Sequence, residues 1–544
     1  VGMVLLLVSG VLFVAHASLF GSWLIDDAGV SFAYSRNRIA GHGLVAQPGA
    51  LPVEGYSNFA WVVLLAPLFG FTTEAAVAVK LISTAFVLAG FLSLTLTLRH
   101  YIINPWTRGI PCIALALTTP FVIWTTSGLE NPLYFLLAVL LFSVITRNLV
   151  ECRDFPSRRL SVAAGVLAVL LALTRPDGML FLGLYPAAVV LIRGRKLFSY
   201  VGGQDLAVYC FTAIVLFGSF LAFRYGYFGH LLPNTHYSKA LTGESDYLLN
   251  ALLLPGTDQK PQQLIGSIVY LWRFWVLMLM LAGTCWLGST GRLTDRYRVL
   301  LLFLLSTAFI YLMLPDDWMG EFRFATPFYP FFYAYAAWMC DAVRANILAE
   351  TSRVRRLLLA GAFGIPLALV VVTSLFHFAQ RSSIFADSPT VPYESIRQRA
   401  QLLNQAARML GLDSASILTP DLGGMLMDSE LHVIDLAGLT DSVIGQTYFT
   451  DDKTGRRDYI LGQTQPELIH LHSTWTDNAS LELDLRFRRD YEPICEYPER
   501  YMGDGHSITL YSGVFIRREL NAASHKEWDQ IVRLVSSEVC GLGS

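Results

Sequence analysis

The sequence predicts a polytopic α-helical membrane protein of about eleven transmembrane helices with a soluble, mixed α/β domain at its C-terminus. Three observations carry that expectation. Of the 544 residues 54% are hydrophobic and only 15% charged, a balance too apolar for a soluble multidomain chain. Apolar runs of membrane-crossing length recur up to about residue 379 and then stop. The charge balance changes at the same place: residues 1–379 hold 25 Lys+Arg against 18 Asp+Glu, and residues 380–544 hold 15 against 24. The net charge of −2 therefore hides two regions that meet different solvents.

A transmembrane helix needs about 17–25 mostly apolar residues. Such runs lie at about 3–20, 77–98, 110–125, 132–148, 160–174, 178–192, 206–226, 265–287, 299–314, 326–344 and 357–378. The first also reads as a signal peptide, since Ala15-His16-Ala17 fits a small-x-small cleavage site; the further spans that follow favour a retained helix. Residues 57–71 are apolar but short, with Pro67 and Gly70 near the end, and read as an interfacial or re-entrant helix.

That reading fixes the orientation of every later loop. With the N-terminus inside, the internal loops carry 16 Lys+Arg, from Arg99 to Arg356, and the opposite loops only Arg36, Arg38, Arg175, Lys239, Lys260 and Arg323. The bias obeys the positive-inside rule; counting 57–71 as a span would reverse it. Five polar segments then share the external face: the loop at Asp26-Asp27, Thr126–Pro132, Arg175–Gly178, Leu232–Lys239 and Asp316–Arg323. The first external loop covers residues 21–76 of a transmembrane domain 1–379, and residues 380–544 form an external domain. There, Ser395–Leu410 places Ile396, Ala400, Leu403, Ala407 and Leu410 on one helical face. Strand-like runs follow at 415–419, 431–436, 467–472 and 507–517.

Seven cysteines include no CxxC and no cysteine–histidine cluster at ligand spacing, so a structural zinc site is not expected. Cys112, Cys210, Cys285 and Cys340 sit in or at the ends of apolar runs, as small hydrophobes do. Cys495 and Cys540 are together in the C-terminal domain and could pair or stay free.

Asp26 and Asp27 follow the first apolar run directly. A carboxylate sheltered at a membrane edge gains proton affinity and suits a general base; an adjacent pair would share a proton or hold a cation. The alternative is an ordinary cap of the helix that follows. Arg323, at the start of an apolar helix, has the fork geometry for phosphate or for an ion pair with Asp316, Asp317 or Glu321. His236 and Lys239 follow the turn at Pro233-Asn234, which aims them at the membrane surface or leaves them solvated. Glu130 starts a helix, where it meets the dipole, accepts from a sugar hydroxyl or orients a basic residue. Arg175-Pro176-Asp177 pins a turn or supplies a cation, and His42 lies in a Gly41–Gly43 turn. Tyr56, Phe59, Trp61, Tyr237 and Trp318 suit either an aromatic belt or a cavity wall.

The run from Asp26 through Gly41-His42-Gly43, Pro48-Gly49, Glu54-Gly55-Tyr56-Ser57-Asn58-Phe59 and Trp61 resembles the first external loop of GT-C glycosyltransferases that use polyprenyl-phosphate sugars. It looks nearest the group of mycobacterial terminal arabinofuranosyltransferases. Ser127–Glu130, Arg175–Gly178, Leu232–Thr235 and Asp435–Asp441 extend the resemblance over most of the chain. It implies a bacterial inner-membrane enzyme of GT-C type, active on the periplasmic side, that moves a sugar, with arabinofuranose suggested, onto a cell-envelope glycan or protein hydroxyl by inverting transfer. Asp26 and Asp27 would be catalytic, and Arg323, Lys239, His236 and Arg175 would bind the donor phosphate. Glu130, His42, Glu54, Tyr56, Asn58, Asn234, Tyr237 and Trp318 would hold sugar or acceptor. No cofactor is secured by spacing, although the Asp pair invites a divalent cation. The partners are the lipid-linked donor, the acceptor and the bilayer, with no nucleic acid. A transporter of envelope lipids or glycans and a non-catalytic scaffold are the competing classes; transporters place ionisable groups near mid-bilayer, whereas the charges here cluster at span ends.

Overall fold

The computed structural model describes residues 2–71, 75–152, 156–194, 200–238, 294–314, 317–412, 414–503, 506–521 and 525–540. Among them six helices are long and apolar enough to cross a membrane, or seven if Pro105–Leu117 and Thr119–Thr126, bent by 66°, count as one span. The chain is a multi-pass helical membrane protein. Its helices are α1 (Gly2–Ser18), α2 (Asp27–Ile39), α3 (Phe59–Phe71), α4 (Ala75–Leu98), α5 (Pro105–Leu117), α6 (Thr119–Thr126) and α7 (Asn131–Thr146). Next come α8 (Arg158–Thr174), α9 (Leu184–Arg193), α10 (Tyr200–Phe228), α11 (Asn234–Ser238), α12 (Asp295–Met313), α13 (Phe328–Ala349) and α14 (Arg353–Asp387). At the spans expected at 3–20, 160–174 and 326–344 the chain forms the helices α1, α8 and α13, of 17, 17 and 22 residues, none of which is among those six. The one expected at 265–287 lies outside the described residues, as does Cys285.

Helix α3 has 13 residues and is about 20 Å long, too short for a hydrocarbon core of about 30 Å. It packs on α2, with Trp61, Val62, Leu65 and Ala66 buried. The bundle core is aromatic: Trp61, Trp124, Phe91, Phe121, Phe135 and Phe142 are inaccessible. Gly90 lets α4 close on α7, because a Cβ there would stand 2.2 Å from the Phe135 ring.

The expected domain boundary at 379/380 falls inside α14, which runs on to Asp387. The apolar run ends there, but no glycine or proline interrupts residues 380–387, so the helix continues. Helix α15 (Tyr393–Met409) is the expected amphipathic helix, with Ile396, Ala400, Leu403 and Ala407 buried. It covers a five-stranded sheet made of β1 (Ser416–Thr419), β2 (His432–Asp435), β3 (Leu468–Leu471), β4 (Tyr491–Gly503) and β5 (His506–Arg517), in the order β2-β1-β3-β5-β4. Strands β1, β2 and β3 are parallel, and β5 joins antiparallel to β3 and β4. Short helices α16 (Gly423–Asp428) and α17 (Ser442–Phe449) follow β1 and β2, and α18 (His525–Glu538) comes last.

Strand β4 has no counterpart among the expected strands. It carries Pro493 and Pro498, which a central strand rejects, but it is an edge strand, where a missing N–H is tolerated. A disulfide joins Cys495 of β4 to Cys540 beyond α18.

The two domains share a core. Val30, Ala33 and Tyr34 of α2 are buried with Ile396, Leu403, Met425 and Leu426 of the C-terminal domain. The chain between α1 and α2 runs antiparallel to residues 390–393: Asp26 N donates to Val391 O and Tyr393 N to Leu24 O, at 3.0 and 2.9 Å.

Candidate active site

Helix α2 lies alongside α16 and holds it at both ends. The Asp26 carboxylate accepts N–H groups from Gly423 at 3.0 Å and Gly424 at 2.7 Å, the first amides of α16. The Arg36 guanidinium donates to the carbonyls of Leu426 at 2.9 Å and Met427 at 2.7 Å, at its other end. Carboxyl oxygens at the N-terminus and a guanidinium at the C-terminus satisfy the end N–H and C=O groups of the helix. Glycine makes the approach possible: a Cβ on Gly29 would be 2.5 Å from the Gly423 carbonyl carbon, and one on Gly423 would be 1.7 Å from Asp26 O.

Asp26 is buried, 5% exposed. Burial above all, and then the charge of Asp421, push its carboxyl up to about 8, against the pull of the Gly424 and Gly423 amides. Asp27 opens α2 and is half-buried. The loop at Ser127-Gly128 closes over this corner: Ile25 N donates to Ser127 O at 3.0 Å, and a Cβ on Gly128, at φ +92°, would be 2.9 Å from Ala28 Cβ.

A chain of buried polar contacts leads from α2 to the cationic side of the site. Asn58 bonds Ser31 and donates to Glu130 Oε2 at 2.9 Å. Glu130 Oε1 meets Arg175 Nη1 at 2.8 Å, and Arg175 Nε meets Asp177 Oδ1 at 2.9 Å. Tyr134 donates its hydroxyl to Asp177 at 2.9 Å. Arg175 and Arg323 share one aromatic partner, their guanidinium carbons standing 4.9 and 4.7 Å from the Phe324 ring centroid. Arg323 is also paired with Asp317 at 2.8 Å, one of the three carboxylates expected for it; Glu321 pairs instead with Arg381.

A second branch descends from the first loop. Glu54 forms a two-point ion pair with Arg224, at 2.8 and 3.0 Å. Burial raises the Glu54 carboxyl to about 7, against Arg224's opposing pull. Asn234 N donates to the Glu54 carbonyl, and its Nδ2 to the carbonyls of Gly438 and Leu439 at 2.8 and 2.9 Å. Asp435 shapes that last loop by accepting from Ala437, Gly438 and Thr440. Tyr56 is buried edge-on against Tyr34.

Thus Asp26, Glu54, Tyr56 and Asn234 stand where the bundle meets the C-terminal domain, and Asn58, Glu130, Arg175 and Arg323 form a second group, linked to α2 through Ser31 and to one another through the Glu130–Arg175 pair and Phe324. His236 and Tyr237 lie at the margin, with ring contacts to Phe449 at 6.3 and 5.4 Å. His42 and Trp318 are exposed and carry no bond that ties them to the cluster; each sits in a tight glycine-containing turn that points its side chain outward. Lys239 and Asp316 lie outside the described residues.

Sequence reasoning missed Arg224, hidden in the apolar run of α10. An ionisable residue within a membrane span is itself the signal that finds it. Gly423 and Gly424 were missed too, because a Gly-Gly pair reads only as a turn until its partner is known.

No family model matches the chain. Over 264 residues, 42% of its length, it is 30% identical to the terminal β-(1→2)-arabinofuranosyltransferase of Mycobacterium tuberculosis, and it spans only 38% of that relative. Its fold is that of the oligosaccharyltransferase AglB from Archaeoglobus fulgidus, solved with an inhibitory peptide and a dolichol-phosphate. The TM-score is 0.55 at 12% identity, over 93% of this chain and 74% of the other. The same organism's enzyme tethered to an acceptor peptide containing the NVT sequon matches with TM-score 0.55 at 12% identity, over 97% of this chain and 77% of that one. The chain therefore has the GT-C fold, a helical membrane domain followed by a C-terminal domain.

Proposed function

We propose that this protein is a membrane glycosyltransferase that moves a sugar from a polyprenyl-phosphate donor to an acceptor hydroxyl on a cell-envelope glycan or surface protein. The reaction runs with inversion at the periplasmic face of the bacterial inner membrane, and the sugar we favour is arabinofuranose. The observation that carries this reading is a buried chain, Ser31–Asn58–Glu130–Arg175, that runs from α2, the helix at whose start Asp26 and Asp27 stand, to the guanidinium pair on Phe324. The GT-C fold and the arabinofuranosyltransferase relative support it.

In the proposed step the acceptor oxygen attacks the anomeric carbon, the bond from that carbon to the phosphate oxygen breaks, and the hydroxyl proton passes to a carboxylate. Asp26, engaged by the α16 amides, orients the corner, and the adjacent Asp27 is the carboxylate assigned to the hydroxyl in this reading. Arg323 and Arg175 face the departing phosphate, each already fixed by a carboxylate and an aromatic ring, which spares reorganisation during transfer. Glu54, Asn58, Glu130, Asn234 and Tyr56 are placed for sugar hydroxyls, and His236, Tyr237, His42 and Trp318 stand further out toward an incoming acceptor.

The test is transfer from a synthetic polyprenyl-phosphate arabinofuranose to an arabinan acceptor by purified protein. Asp27→Asn is expected to lower kcat by about 100-fold or more with little change in donor KM. Arg323→Gln is expected to raise donor KM about tenfold. Transfer unaltered in Asp26→Asn and Asp27→Asn alike would remove the catalytic assignment.

A further inference from the structure

The carboxyl ends of the parallel strands carry a side-chain cluster that the proposed transfer does not use. Asp421 lies two residues past the end of β1, His470 within β3 and His472 just beyond it. Residues two apart along an extended chain point to the same face, so both imidazoles turn toward Asp421, just past the end of the neighbouring strand β1. His472 Nε2 is 3.0 Å from Asp421 Oδ1, and His470 Nδ1 is 3.9 Å from Oδ2 and 3.1 Å from Thr419 Oγ1. One ligand atom from each of the three residues lies within 4.8 Å of the others, and among the described residues this is the one group of three that does so.

We propose that Asp421, His470 and His472 form a three-ligand site for a divalent transition cation of the zinc class, with a fourth position open on the His472 side. This inference goes beyond the transfer reaction, and its ligands are other residues than the Asp26-Asp27 pair, although Asp421 is two positions from Gly423, whose amide meets Asp26.

The donor set decides the class of ion. Two imidazole nitrogens and one carboxylate oxygen suit Zn²⁺, whereas Ca²⁺ and Mg²⁺ call for oxygen throughout. Three protein ligands with a free fourth position is the arrangement of an accessible zinc site rather than a closed structural one. The location agrees, since ligands of open α/β sheets gather at the carboxyl ends of parallel strands. Asp421 and His470 are buried, and the His472 side chain is 27% exposed, which leaves a route in.

Coordination would draw the three atoms to about 3.3 Å from one another, given bonds of about 2.0–2.1 Å. The half-exposed His472 ring can supply that closure by turning. Arg399 pairs with Asp421 through Oδ2, so Oδ1 is the oxygen that meets the ion. The guanidinium then orients the carboxylate from outside the coordination sphere. It also repels a cation, so the site is weaker than it would be with a neutral neighbour.

The test uses the full chain in detergent, without a polyhistidine tag, stripped by chelator and titrated with ZnCl₂ calorimetrically. Co²⁺ substitution provides an optical signature. We expect one equivalent of Zn²⁺ and visible bands of tetrahedral Co²⁺, with affinity falling at least tenfold in His472→Ala and Asp421→Asn. Arg399→Gln should tighten binding, and His432→Ala, an exposed histidine on β2, should leave it unchanged. His472 is at the surface, so His472→Ala should melt with the metal-free wild type, and a retained fold makes its result decisive. Absence of saturable Zn²⁺ binding by the wild type, or an unchanged affinity in folded His472→Ala, would overturn the proposal.

Discussion

The carboxylate of Asp26 accepts the backbone N–H of Gly424 at 2.7 Å across 398 positions of sequence. One oxygen atom thereby fastens the start of α2, in the membrane domain, to the start of α16, in the C-terminal domain. The neighbouring Gly423 amide takes the other oxygen at 3.0 Å. The contact works only because two backbones touch, and most of what can be tested about this corner follows from that.

Gly423→Ala should weaken the fit between the domains. The added methyl would land 1.7 Å from Asp26 O, a backbone atom that cannot swing aside, so α16 must move. A loss of about 1–3 kcal/mol is expected, as for overpacked cores. Gly183→Ala, with nothing within 4 Å of the new Cβ, is the control. Thermal unfolding and limited proteolysis between the domains would show the difference, and equal behaviour of the two variants would refute the close approach.

Asp26 should make stability fall as pH rises. Its carboxyl is raised to about 8 in the folded chain from an ordinary value of 3.8, so the folded state binds the extra proton between those values. The contribution is fully present below about pH 4 and is lost progressively as pH rises to about 8. Glu54 and Asp435, raised by burial to about 7 and about 6, act in the same sense. Unfolding midpoints of the wild type measured from pH 5 to 8.5 should decline more steeply than those of Asp26→Asn. Parallel curves would count against it.

Arg175 holds two carboxylates, Glu130 at 2.8 Å and Asp177 at 2.9 Å. Arg175→Met would leave both buried and without their cation, at a cost of about 3–5 kcal/mol. Adding Glu130→Gln should recover part of the loss, because one stranded charge disappears. A double-mutant cycle reads that coupling directly, and simple additivity would mean that the pair is not coupled.

The disulfide between Cys495 and Cys540 closes a loop with a sequence separation of 45. Its removal in Cys495→Ser/Cys540→Ser should lower stability by about 4 kcal/mol on the chain-entropy account, chiefly by freeing α18 from β4. Hydrogen exchange in 525–540 should rise in the variant while exchange in α4 stays as it was.

Much of the architecture was legible because it is written at short range. Runs of apolar residues marked helices such as α4, α7 and α12, and a 3.6-residue period marked α15. Apolar runs bounded by turn residues placed β1, β2, β3 and β5 within a residue or two. Strand β4 was not legible: its prolines and glutamates argue against a strand, and only its place at the sheet edge makes them acceptable. Asp26, Glu130, Arg175 and Arg323 stood out as polar groups at the ends of apolar runs, and Asp317 was among the three carboxylates expected for Arg323, but the partners of Asp26, Glu130 and Arg175 were not named. Arg224 was hidden by the apolar residues around it, and Asp421 is separated from His470 and His472 by about fifty positions that carry no shared pattern.

The sequence by itself determined helices such as α4, α7, α12 and α15, the strands β1, β2, β3 and β5, and where the chain stops being membrane-like, because periodicity and apolar runs depend on residues a few places apart. Only the tertiary structure decided that Asp26 meets Gly423 and Gly424, that Arg323 takes Asp317 rather than Glu321, that Arg224 answers Glu54, and that the 379/380 boundary lies within α14. Each of those choices depends on distances between remote parts of the chain, and a carboxylate selects its partner by which donor packing brings within about 3 Å, a quantity that no local pattern encodes.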